Sequence, residues 1–161
     1  MLRGQLLHPE ILESLGAAGH SSRVLIADGN FPFRTRCGAN SKLVQLNLSP
    51  GGGTVTQVLE ALLSAIPVEG ATVMDYPTEG PYALTEDPAI WSEFERLLER
   101  ETRPSVALDR LERFKFYDES ASSDVVLTVA TADQRIFANL LRTIGVVRKS
   151  PKRICFSASS Q

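Results

Sequence analysis

Apolar and polar positions along this chain fall into short runs of two periods. Pro9 at a first helical position, followed by Ile11, Leu12 and Leu15, predicts a short helix ending near Gly16 or Gly19. The apolar run Arg23 to Ala27 predicts a short buried strand that ends in Asp28, and Lys42 to Leu48 predicts a second strand. Gly51, Gly52 and Gly53 form a turn, after which Thr54 can cap a helix. The apolar face of that helix is Val55, Val58, Leu59, Leu62, Leu63 and Ile66. Ala71 to Met74 reads as another strand, with Asp75 at its carboxyl end. Pro77, Gly80 and Pro81 make Tyr76 to Glu86 a loop. Asp87 and Pro88 then open an amphipathic helix with Trp91, Phe94, Leu97 and Leu98 inward.

Ser105 to Leu108 has a weak strand pattern, and Leu111 to Glu119 a helical one. Asp124 to Ala130 has the strongest strand character in the chain by β-branched content. Ile136 to Val147 is apolar but fits either period, so its type stays open. No internal repeat or linker interrupts the pattern. Strands alternating with helices imply a single α/β domain over residues 1–147, with a mainly parallel sheet flanked by helices. The basic and then Ser-rich stretch 148–161 reads as a disordered C-terminal tail.

Composition narrows the function classes. With 161 residues, 43% of them hydrophobic, the chain can bury one core. A net charge of -2 gives no general attraction to nucleic acid or to an anionic membrane. No run approaches the roughly 18–20 apolar residues of a membrane span, and the first residues lack the apolar core of a signal peptide. Cys37 and Cys155 form no CxxC pair, so a disulfide framework or structural zinc is not expected and a reducing cytoplasm is the default. GxxxxGK[ST] and GxSxG are both absent. The residues offer acid–base and hydrogen-bonding groups, with no expectation of a metal, a cofactor or a covalent intermediate.

Two residues stand out. His20 follows Gly19 just past the first helix, where a ring nitrogen can transfer protons near neutral pH; a histidine serving the helix-end carbonyls reads equally well. Asp28 ends a buried strand, where α/β sheets open ligand crevices; an Asx turn with Gly29 and Asn30 is the alternative. A five-residue strand at about 3.3 Å per residue spans roughly 17 Å, so the loop at His20 folds back or another subunit completes the site. Arg113 and Tyr117 share a helix face, either at a site or as an aromatic packed under a snorkelling Arg. Asn139, within an apolar run, needs polar partners if buried, in a site or in a local turn.

Four stretches resemble the RbsD/FucU family of sugar isomerases, and within it the fucose mutarotase branch. They are LLHPEILESLGAAGH, IADGNFP (26–32), ERFKFYDES (112–120) and VATADQRIFANLLRTIGV (129–146). The resemblance implies His20 as proton donor and Asp28, Arg113, Tyr117, Phe137 and Asn139 as sugar-binding residues. It also implies a homo-oligomer, often a decamer, with sites near subunit contacts. Phe137 stands where the family's triplet has tyrosine, and Leu46 to Ser49 with the glycine run replaces an Arg-Ala-Asp-Gly element. Glu69 corresponds to an acid that the animal members use before the third strand. The implied reaction is interconversion of monosaccharide anomers, on L-fucose or a related sugar. Sugar binding without turnover, a ribose-type pyranase and a non-catalytic scaffold are the rivals.

Overall fold

The computed structural model describes residues 2–102 and 104–147. Ten elements run α1 (Pro9–Ala17), β1 (Arg23–Ala27), β2 (Lys42–Gln45), α2 (Val55–Leu63), β3 (Val68–Met74), α3 (Ala89–Glu101), β4 (Leu108–Leu111), α4 (Arg113–Ser120), β5 (Val125–Ala130) and β6 (Leu140–Ile144). The strands form a six-stranded sheet in the order β2-β5-β1-β6-β3-β4. β1, β2 and β5 are parallel to one another, as are β3 and β4, whereas β6 runs antiparallel to both its neighbours, β1 and β3. The sheet is mainly parallel, as expected, with β6 as one reversed strand between two parallel groups.

Local chemistry explains the better-read elements. Thr54 accepts from the Gln57 N–H while the Gln57 side chain accepts from the Thr54 N–H, a capping box that starts α2. Pro9 occupies the first turn of α1. In β1, Val24 to Ala27 are fully buried on both faces, as expected of a strand inside a sheet covered on both sides. One face carries the larger core, built from Val24, Ile26, Leu59, Leu62, Phe94 and Leu98 among others; the other packs Leu25, Phe31, Met74, Phe116 and Leu141.

Three strand expectations shift. β2 ends at Gln45 rather than Leu48, β3 begins three residues early at Val68, and the strand expected at Ser105 to Leu108 forms at Leu108–Leu111. β4 is an edge strand whose place is set by pairing, Ala71 with Leu108 through Met74 with Leu111, rather than by its own pattern. The open segment Ile136 to Val147 resolves into a turn followed by β6. The disordered-tail expectation falls on 148–161, outside the described residues.

Because every strand but β6 points the same way, one edge of the sheet gathers the carboxyl ends of five strands together with the amino end of β6. Asp28, Asp75, the start of α4 and the segment 131–139 all lie at this edge. His20 and Glu69 lie at the opposite one.

Candidate functional site: two half-sites at opposite edges of the sheet

At the carboxyl edge, Asp28 leaves β1 and is only 2% exposed. Its Oδ1 accepts from the Asn30 N–H at 2.9 Å, an Asx turn. Its Oδ2 accepts from the Asn139 side-chain amide at 3.0 Å and from the Ala138 N–H at 3.3 Å. Asn139 Oδ1 in turn accepts from the Asp28 N–H at 3.0 Å. The pair is thus reciprocal: 111 residues of sequence separate two side chains that lock each other. Burial pushes the Asp28 carboxyl up to about 6; the Asn30, Ala138 and Asn139 donors pull it down, and the charge of Asp133 adds to the rise. Counting lone pairs and protons leaves one acceptor position on Asp28 Oδ1, one on Asn139 Oδ1, and one amide N–H. Hydroxyl groups of a ligand match that remainder.

Segment 131–139 is pinned over β1. Thr131 donates from both its N–H and its hydroxyl to the Ala27 carbonyl, and the Gly29 N–H donates to the Asp133 carbonyl at 2.9 Å. A Cβ on Gly29 would stand 3.2 Å from that carbonyl oxygen, so the close approach favours glycine. Asp133 Oδ2 accepts from the Val55 N–H at the start of α2, and Arg135 grips Asp133 and Glu93 together. Burial pushes the Asp133 carboxyl up, but hydrogen bonds from Arg135 and Val55 outweigh it and hold it below the usual carboxylate range. Beside this clasp lies a cavity of about 390 Å³ bordered by Asn30, Asn47, Ser49, Thr131 and Gln134.

Phe137 adopts φ +55°, the left-handed region, in the turn just before Ala138 and Asn139. Its half-buried ring packs against both cores and lies edge-on to Tyr76 at 6.1 Å. Tyr117 reaches the same region through Phe31, with ring centroids 5.7 Å apart, and the Arg36 guanidinium sits 5.3 Å from the Tyr117 centroid. Phe31 and Arg36 had no signal in the sequence, because their contact with α4 is set by tertiary packing. Arg113 stands apart: it is exposed and stacks 5.7 Å over the Tyr82 ring.

At the opposite edge, His20 is exposed, with 54% of its side chain accessible. Its Nε2 lies 3.0 Å from both oxygens of Glu69, near the amino end of β3. The Ser21 hydroxyl approaches Nδ1 at 3.4 Å, and Ser21 itself is left-handed at φ +66°. The turn is fixed to β6, since the Ser21 N–H donates to Ile144 O and the Ile144 N–H to Ser22 O. A cavity of about 640 Å³ opens beside Glu69, bordered also by Ile66, Glu101, Gly145 and Val147. The structure thus brings Asp28, Phe137 and Asn139 together, with Tyr117 one ring away. It holds His20 at the far end of β1 with an acid beside it.

No group of three or more His, Cys, Asp or Glu side chains able to hold a metal ion occurs among the described residues. No helix there is long and apolar enough to cross a membrane.

Comparison with known proteins adds what geometry cannot. The model of the RbsD / FucU transport protein family matches residues 1–147. The human fucose mutarotase is 30% identical over 151 residues, covering 91% of this chain and 93% of that protein. A D-ribose pyranase from Streptomyces coelicolor is 29% identical over 146 residues, covering 91% and 98% of the two chains. Among solved structures, FucU from Bifidobacterium longum superposes with a TM-score of 0.73 at 29% identity, covering 88% of this chain and 95% of that one. With a match that runs from the first residue through β6, this chain belongs to the RbsD/FucU family.

Proposed function

We propose that this chain interconverts the anomers of a monosaccharide, L-fucose or a related sugar, by general acid–base opening and closing of the ring. The observation that carries this reading is the reciprocal Asp28–Asn139 pair, which keeps unfilled hydrogen-bonding positions at the edge where α/β sheets bind ligands. It is supported by the 30% identical human fucose mutarotase.

In the reaction, a base takes the proton of the anomeric hydroxyl and the C1–O5 bond breaks. The ring oxygen receives a proton and the open-chain aldehyde forms. Rotation about C1–C2 and the reverse steps close the ring on the other face. His20 serves as the proton donor. With Nε2 held by Glu69, Nδ1, which the Ser21 hydroxyl approaches at 3.4 Å, is the ring nitrogen left to exchange a proton. Asp28 and Asn139 hold sugar hydroxyls, Tyr117 borders the site through Phe31, and the Phe137 ring offers an apolar face, while Arg113, which the resemblance also implies as a sugar contact, stands apart over Tyr82. Positioned acid–base groups supply about 10²–10⁴-fold, the scale this chemistry needs.

A sugar ring cannot touch His20 and Asp28 of one chain, since β1 alone separates its ends by roughly 17 Å. We therefore read the active unit as a homo-oligomer in which the His20–Glu69 edge of one copy faces the Asp28–Asn139 edge of another. Such a contact joins unlike surfaces, and where its rotation closes it forms a ring, consistent with the decamers the resemblance implies. Light scattering on active protein is expected to show an assembly; a fully active monomer would overturn the shared site. The cytoplasmic location expected from the sequence accompanies this reading.

Saturation-transfer NMR over a panel including L-fucose and D-ribose tests the reaction. Exchange between anomers supports it, binding without exchange indicates a sugar-binding protein, and the absence of both indicates a non-catalytic scaffold. Phe137, where the family's triplet has tyrosine, favours the binding-only reading as the runner-up; the D-ribose pyranase relative keeps ribose in the panel. Phe137→Tyr adds one hydroxyl to a half-buried ring. It is expected to tighten sugar binding or raise exchange by about 0.5–1.5 kcal/mol, the scale of one hydrogen bond. A lower Tm with unchanged sugar kinetics would place the ring edge in the core instead.

A further inference from the structure

Trp91 lies in the first turn of α3 and is almost fully buried, yet its indole N–H is not idle. It donates to the Phe137 carbonyl oxygen at 3.0 Å. Phe137 is a bulky residue at φ +55°, a strained conformation that persists only when its surroundings impose it. The two residues that follow it are the ones that meet Asp28: the Ala138 N–H and the Asn139 amide both reach Oδ2. The indole itself is gripped on two sides. Tyr76 packs on it at 5.6 Å and also touches the Phe137 ring, while the Arg110 guanidinium sits 4.6 Å from the indole centroid and pairs with Asp87. The N–H direction is therefore fixed before any ligand arrives.

We propose that Trp91 is a positioning residue for the Asp28 carboxylate: its N–H, by holding the Phe137 carbonyl, keeps the left-handed turn that presents Ala138 and Asn139 to Asp28. This rests on the reading of Asp28 as a sugar-binding group. Without that N–H the Phe137 carbonyl loses its partner, the turn relaxes, and the donors to Oδ2 move away. Burial of Asp28 remains, and so does the charge of Asp133, the titratable group that faces it from segment 131–139. Arg135 compensates Asp133, and Glu93 of α3 is paired to the same Arg135. Tyr117 of α4 is one ring removed, behind Phe31. With its donors weakened and these surroundings unchanged, the Asp28 carboxylate holds a proton to higher pH.

The test replaces Trp91 with β-(3-benzothienyl)alanine, which keeps the bicyclic shape and lacks the N–H, and separately with Phe. The Asp28 carboxyl is followed by carbon-13 NMR as pH is raised. The expected result is an upward shift of the Asp28 midpoint of about one pH unit in the benzothienyl protein, with the acid limb of the exchange rate moving with it. An unmoved midpoint in that folded protein would overturn the proposal. Trp91→Phe is expected to shift it at least as far, and its midpoint matching wild type would count against the proposal equally. Because the titration is read without sugar, absence of anomer exchange in wild type would sink the mutarotase reading while leaving the positioning result standing.

Discussion

His20→Ala is expected to lower anomer exchange by about 10²–10⁴-fold while leaving the fold and the assembly intact. The size follows from chemistry, since no other described side chain at that edge combines an exposed ring nitrogen with a carboxylate partner. The silence on stability follows from geometry. His20 is more than half exposed and its bond to Glu69 joins two accessible groups, an interaction worth about 0–1 kcal/mol. Saturation-transfer NMR gives the rate and thermal unfolding gives Tm. Activity within about threefold of wild type would remove His20 from the role of proton donor. Glu69→Gln is the informative companion: it keeps a hydrogen-bond partner for Nε2 and removes the charge, so its loss is expected to be smaller.

Arg142→Met is expected to stabilise the protein, by about 1–4 kcal/mol at neutral pH. Arg142 lies in β6 between Val24 of β1 and Ala71 of β3 and is 1% exposed. None of its three guanidinium nitrogens has a hydrogen-bond partner among the described residues. Burial alone pulls its guanidinium down to about 9. For a base whose folded pKa is depressed, the penalty is fully present below about 9 and fades as pH rises toward the ordinary guanidinium range. At neutral pH the folded state carries all of it. Methionine fills a similar length with no charge to bury. Urea unfolding of both proteins measures the difference, and a less stable variant would overturn the expectation.

How far the sequence led depends on where each residue's instructions lie. β1 was legible to the residue because its apolar run is bounded by Arg23 and Asp28, and α2 because Thr54 and Gln57 form a local cap. β4 was not, since its half-exposed Leu-Asp-Arg-Leu has no alternation of its own and takes its place from β3. β6 was ambiguous because the left-handed Phe137 breaks the pattern on one side and the buried Arg142 interrupts it in the middle. Its reversed direction had one readable cue. No helical segment lies between Ala130 and Leu140, and a parallel return requires a long crossover. Within the site, Asp28 and Asn139 were each singled out, but their mutual bond spans most of the chain. Trp91 was hidden because its ring fits the apolar face of α3 and only the N–H, aimed at a carbonyl in another element, tells its second role.

The place of β6 has a consequence for aggregation. On one side of it stand β2, β5 and β1, on the other β3 and β4, and among the described residues no ladder joins the two groups except through β6. Without β6 the two parallel groups would each present a bare inner edge, β1 on one side and β3 on the other. Such edges recruit strands from neighbouring chains, the usual route to aggregation and swapped dimers. Joining the two groups depends on five residues, Leu140–Ile144, the last of the described strands, which run backwards into the gap.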